Sequence, residues 1–184
     1  MKYKIKNIPI YGDVPREYVS SLFKISRMTP DHIWKGIKGI YISNNEDTDN
    51  TRHYACYGHL DDPDEPLGGG YVLITCMDYQ GEKVTYTIDK AEQLPFIFID
   101  AGLIPDEWNF VFNLMHEVGH HNDPKFGIHD HEDEEVYAHR FALQFVTEDV
   151  FDRKHHIPYN YIGKALSLER EAETVISILK AEAG

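Results

Sequence analysis

At 184 residues the chain has the length of one domain, enough to bury a core without disulfide staples. A composition of 42% hydrophobic and 12% aromatic residues excludes an intrinsically disordered chain. The formal charge of -13, from 31 acidic against 18 basic residues, speaks against nonspecific binding to nucleic acid or to an anionic membrane and suits a basic partner.

Two cysteines, Cys56 and Cys76, each lie in an apolar, strand-like segment and are too few for a disulfide framework, which points to a reducing compartment. The opening "MKYKIKNIPIYGD" has lysines but no apolar run of signal-peptide length, and no window approaches the roughly 18 apolar residues of a spanning helix. The expectation is a soluble, cytoplasmic protein.

In chain order, "VPREYVSSLFKISR" places Val19, Leu22, Phe23 and Ile25 near helical spacing, so the first third reads as a helical hairpin or a helix feeding a strand. Five segments rich in β-branched and aromatic residues follow: 39–43, 53–58, 70–77, 84–88 and 96–100. They predict a sheet. The turn signals between them include "NNEDTDN", "DDPDEP", "LGGG" and "QGEK". The Gly68–Gly70 run lacks the Lys and Ser/Thr of a phosphate loop, and the acidic run lacks calcium-loop spacing, so both read as solvated turns.

From residue 105 the period becomes helical, first in "PDEWNFVFNLMHEVGHH", then in "EDEEVYAHRFALQFV" after a polar loop, and last in "GKALSLEREAETVISILKA". The last helix reads as core packing. Strands followed by helices make an α+β fold, predicted as a single domain over 1–184 in which residues 1–104 are sheet-rich and residues 105–184 helical.

The chemistry concentrates in "HEVGHH", residues 116–121. Asp106 is placed to cap this helix, and Glu107 suits the positive end of its dipole. Four residues apart, His116 and His120 share a helical face and project side by side, as two ligands of one ion require. Glu117 lies beside that face, free to take a proton from a water that the metal activates. With 11 histidines, chance alone would place H-E-x-x-H in roughly one such chain in twenty, so context has to carry the reading. The flanking "FVFNLM" supplies it, because it marks a buried helix rather than a surface one.

Gly119 costs on the order of 1 kcal/mol in a helix against alanine, which suggests that another backbone comes close. In the next helix Glu135, Ala138, His139 and Ala142 share a face, and two alanines there permit tight packing. Glu135 is then the third ligand of choice, with Glu134 its main competitor and Asp130, His129 and His131 within reach in sequence. His139 reads equally as a partner orienting the Glu135 carboxylate or as a polar residue at the packing edge. His121 is expected to finish the helix, and His155 and His156 to lie in solvent.

"HEVGHH" followed by "EVYAHRFA" at 135–142 resembles the ImmA/IrrE-type zinc metallopeptidases, whose pattern is H-E-x-x-H-H and then E-x-x-A with a following Phe-Ala. The resemblance spans roughly 96–146. It implies Zn2+ held by His116, His120 and Glu135, Glu117 as catalytic base, and a zincin-like fold with a small mixed or antiparallel sheet packed on the active helix and a ligand-bearing helix. It further implies limited proteolysis of an intracellular regulatory protein, typically a DNA-binding repressor, in bacteria and their phages or mobile elements. The chain departs from the pattern at His139, where the family shows Asn or Asp, and at "LQFVTEDVF", where it shows a Leu-Leu-Met-Pro-like end.

The expected activity is thus metal-assisted peptide hydrolysis, with Tyr137, His129 and His131 as candidate oxyanion stabilisers by sequence proximity. Two rivals stand beside it. One is a zinc hydrolase of a small molecule; the other is a non-catalytic acidic protein that masks a DNA-binding partner. None of the three needs direct contact with nucleic acid or membrane.

Overall fold

The computed structural model describes residues 3–43, 55–58, 71–77, 83–89, 95–128 and 130–182, with backbone alone for 43, 55–58, 71–77, 83–89, 103, 171 and 174–182. The chain opens with two strands that its sequence did not announce, β1 (Tyr3–Ile5) and β2 (Ile8–Gly12), paired antiparallel across the turn Lys6-Asn7. Lys6 takes a left-handed backbone (φ 53°), the conformation by which a two-residue turn matches the twist of its strands. At the end of β2, Gly12 (φ 84°) lies so close to β3 that a Cβ there would meet the Ile42 carbonyl oxygen at 2.0 Å. Only glycine fits.

Helix α1 (Arg16–Met28) then returns over the sheet, and it is a single helix followed by a 3₁₀ turn (Asp31–Trp34), not half of a helical hairpin. All five predicted strands are present: β3 (Gly39–Ser43), β4 (Ala55–Gly58), β5 (Tyr71–Met77), β6 (Lys83–Asp89) and β7 (Phe96–Asp100). They do not form one sheet. A five-stranded mixed sheet has the order β1-β2-β3-β7-β4, parallel where β3 meets β2 and β7 and antiparallel at both ends, while β5 and β6 pair separately as an antiparallel ladder. Both expected glycine and acidic turns, at 61–70, and the side chains of Cys56 and Cys76 lie outside the described residues.

All five residues of β7, "FIFID", are buried, as expected for a central strand flanked on both sides and covered on its faces. Helix α2 (Glu107–Asn122) packs on β7 and β4, α1 packs on α2, α3 (His131–Leu143) lies along α2, and α4 (Ile162–Glu182) lies on α3. Residues 108–120 of α2 are buried without exception, so this helix is the axis of the core. Phe110, Leu114 and Val118 are each fully buried, and truncating any one of them to alanine is worth about 2–5 kcal/mol. The architecture is mixed α+β. Among the described residues no helix is long and apolar enough to cross a membrane. In α4, Ala165 is buried but Leu166 and Ala172 are exposed, so its described portion contributes only a narrow stripe to the core.

Candidate metal centre

Helix α2 starts where Asp106 caps it, Oδ1 accepting from the Asn109 backbone N–H at 2.9 Å and from its side chain as well. The other carboxylate oxygen accepts from the backbone N–H groups of Lys154 and His155 at 2.9 and 2.7 Å, which ties the irregular segment after α3 to the head of α2. Burial pulls the Asp106 carboxyl up, but these hydrogen bonds outweigh it and hold the group below the ordinary carboxylate value. Glu107, in the first turn, accepts from Ser21 Oγ and Lys24 Nζ, both at 2.8 Å, and so locks α1 to the same end.

Two turns along, His116 and His120 project together as their spacing predicts, with Nε2 atoms 3.0 Å apart. Helix α3, capped by Asp130 on the Asp133 N–H at 2.9 Å, crosses α2 at Gly119. A Cβ on Gly119 would lie 2.8 Å from Ala138 Cα and 3.0 Å from its carbonyl oxygen, so the predicted close approach of backbones is real and the helices touch there. That contact brings Glu135, three residues before Ala138, over the histidine pair. Its Oε2 lies 3.4 Å from His116 Nε2 and its Oε1 3.4 Å from His120 Nε2.

A tetrahedral site with ligand distances of about 2.0–2.2 Å has edges of about 3.3–3.6 Å. The two imidazole nitrogens, 3.0 Å apart, lie slightly inside that edge, and each is 3.4 Å from a different oxygen of Glu135. His116, His120 and Glu135 thus form a cluster that could hold an ion, buried at the two imidazoles and 18% exposed at the carboxylate. Without an ion, the cluster is held by charge. Burial pulls Glu135 up, but hydrogen bonds and charge from His116 and His120 prevail and drive it well below the ordinary carboxylate value. Burial lowers His120, and Glu135 and Glu117 more than reverse this, leaving the ring easier to protonate than an ordinary histidine. Glu117 is itself buried, and its charge reaches His120.

Glu134 is not part of the cluster: its Oε1 accepts from the Gly127 N–H at 2.7 Å, although its charge still reaches His120. Asp130 is spent on the cap, His131 is 4.0 Å from Glu135 Oε1 with a side chain 78% exposed, and His129 lies outside the described residues. Tyr137 donates to the Asn122 carbonyl at 3.1 Å and is thereby held at the α2–α3 loop. His121 sits one residue before the helix end, with Nε2 3.0 Å from the Lys35 carbonyl. His155 and His156 are exposed as expected.

His139 departs from expectation in its partner. Its Nδ1 lies 2.8 Å from the main-chain oxygen of Glu135, one turn back, rather than on the carboxylate. A ring nitrogen at position i reaches the i−4 carbonyl without leaving the helix, and that local bond wins over the more distant oxygen. The ring is 4% exposed and stands edge to face with His116, centroids 4.5 Å apart. Burial first and His116 second push it down to about 3, so it is neutral across the ordinary pH range.

Around it stands a wall that sequence reasoning missed. Phe112, Tyr159 and Tyr161 have ring centroids 5.4, 5.9 and 6.0 Å from His139. Tyr159 is fixed by Asn113, which donates to its hydroxyl at 2.8 Å. Phe112 and Asn113 flank His116 by one helical turn and were readable as its neighbours, whereas the two tyrosines arrive on a segment with no periodicity. No protein-family model, curated protein or solved structure matches the chain.

Proposed function

We propose that the protein is a zinc-dependent peptidase that cleaves an intracellular regulatory protein, with His116, His120 and Glu135 as metal ligands and Glu117 as catalytic base. The observation that carries this reading is the convergence of two imidazole nitrogens and one carboxylate within 4.8 Å of one another, with a second, buried carboxylate on the residue following the first ligand.

When bound, zinc lowers the pKa of a water to about 7 and polarises the scissile carbonyl. Glu117 accepts the proton of the attacking water and returns it to the leaving amine, so a single carboxylate serves both transfers. In the resting chain its negative charge is felt by His120, whose proton affinity it raises. Hydrogen bonds and charge from the histidines hold Glu135 in its ionised form there, which keeps the three side chains together.

A peptide substrate is favoured over a small molecule by β4. It ends the described sheet order and packs against α2, so an extended chain added to it would run past the helix that carries the cluster. The net charge of -13 suits a basic repressor-like substrate through steering of the encounter.

The test is Glu117→Gln. It keeps near one zinc per chain and abolishes cleavage of co-expressed repressor candidates, read by mass analysis of fragments; undiminished biological function in this variant would instead favour masking of a DNA-binding partner.

A further inference from the structure

Charge is divided unevenly along the chain. Residues 1–38 hold eight of the 18 basic residues and three of the 31 acidic ones, a formal charge of +5 beside -18 for the remainder. The described part of that stretch holds the β1–β2 hairpin, α1 and the 3₁₀ turn, with α1 packed on β1, so the division in sequence is also one in space.

Helix α1 turns one line of exposed side chains outward: Arg16, Ser20, Phe23 and Arg27, at spacings of four, three and four. Phe23 is 52% exposed, and Met28, which flanks the line on the side of Lys24 and Glu17, is 45% exposed. These are two of the four large hydrophobic side chains left exposed among the described residues, and both belong to this helix. A single exposed apolar side chain is ordinary, whereas two on one helix among cations form a patch.

The cations of the line are unspent. Lys24 is drawn to Glu107 at 2.8 Å and so belongs to the α1–α2 contact, and Lys6 pairs with Asp31. Among the described residues Arg16 and Arg27 have no ion-pair partner, in a chain whose carboxylates outnumber its cations. Arg16 stands in the first turn, where the helix dipole disfavours a cation.

We propose that this line of α1 docks an acidic segment of a partner protein, its carboxylates taken by Arg16 and Arg27 and an apolar side chain between them laid on Phe23. The two arginines are about 16 Å apart at 1.5 Å per helical residue, so the partner's carboxylates stand at about that separation. Guanidinium pairs with carboxylate in a fixed geometry, and arginine and aromatic side chains carry much of the energy of protein interfaces. A nucleic acid or a bilayer fits less well. Each extends past the line and meets the acidic remainder of the chain, which repels it within a screening length of about 8 Å. A short acidic segment ends before that. No residue of the line belongs to the His116, His120 and Glu135 cluster, so the inference stands apart from the metal reading.

The experiment selects a displayed library of random 16-residue peptides on the full chain and measures the enriched peptides by fluorescence anisotropy. The comparison set is the wild type, Phe23→Ser, Arg16→Glu and Arg27→Glu, with a 20-base-pair DNA duplex and phosphatidylserine-containing vesicles as further probes. The expected peptides carry Asp or Glu on both sides of an apolar residue. Their affinity should fall at least about 10-fold in each variant and weaken steadily with salt in the wild type.

Enriched peptides without acidic residues overturn the proposal, as does binding that the variants leave unchanged. Duplex or vesicles bound more tightly than any peptide, and released by Arg27→Glu, would also overturn it and assign the surface to phosphate instead. Should Phe23→Ser fail to fold, the two arginine variants decide, because their side chains are exposed.

Discussion

Gly119 on α2 and Ala138 on α3 are in backbone contact, so close that a single added methyl group would collide with the Ala138 main chain at 2.8 Å. The position of Glu135 over the histidine pair depends on this contact, because the carboxylate is carried by the same helix, three residues earlier.

Gly119→Ala is therefore expected to damage the metal centre from a distance. Alanine gains up to about 1 kcal/mol of helix propensity, yet forcing α3 away costs about 1–3 kcal/mol of packing and moves Glu135 off its ligand position. Zinc affinity should fall more than thermal stability does. A titration showing unchanged affinity would mean that the ligand geometry tolerates separation of the helices.

Asp106 separates architecture from chemistry. Its carboxylate caps α2 and also receives two backbone N–H groups of the segment that leads to Tyr159. Asp106→Ala should cost about 2 kcal/mol or more in urea unfolding, from the lost cap and the unpaired donors, while zinc stoichiometry stays near one. Loss of zinc in a folded Asp106→Ala chain would tie the head of α2 to the site more directly than its distance along the helix allows.

The pH dependence should reverse when metal binds. In the metal-free chain Glu135 lies well below its ordinary 4.5, so it contributes stability above that value and loses it as pH falls toward its folded value. His120 lies above its ordinary 6.5, so it contributes in full below 6.5 and loses this as pH rises through its higher folded value. Both contributions coexist between 4.5 and 6.5, and the metal-free protein should weaken as pH rises from 6.5 through the higher folded value of His120. Zinc competes with the proton on His120, so zinc affinity should rise over the same range. Denaturation with and without chelator checks this; slopes of the same sign would contradict it.

The helical half was legible because its signals are local. Asp106 before a buried run, histidines four apart and a glycine where helices touch each report on geometry within a few residues. Strand positions were legible for the same reason, as all five β-branched segments show. Pairing was not, because nothing within "GYVLITCM" or "VTYTI" says that β5 and β6 pair with each other and not with β7. The β1–β2 hairpin escaped because Lys4 and Pro9 interrupt its short strands and its turn uses Lys6 in a conformation normally left to glycine or asparagine.

Within the site, the choice of Glu135 over Glu134 followed from which face carries small residues. The fate of Glu134, captured by the Gly127 N–H, depends on a loop conformation that composition does not encode. Tyr159 and Tyr161 lie on an irregular segment whose placement is dictated by Asp106, Asn109 and Asn113, some 46 to 49 residues away in sequence. Side chains positioned by such long-range hydrogen bonds leave no period to read.

The central claim is that His116, His120 and Glu135 grip one divalent ion. Elemental analysis of native protein, purified without chelator or added metal, measures it directly when the wild type is set beside Glu134→Ala and Glu135→Ala. Near one zinc per chain in the wild type and in Glu134→Ala, with loss of the metal in a folded Glu135→Ala, is the predicted result. A wild type free of transition metal, or zinc retained in full by Glu135→Ala, would contradict it.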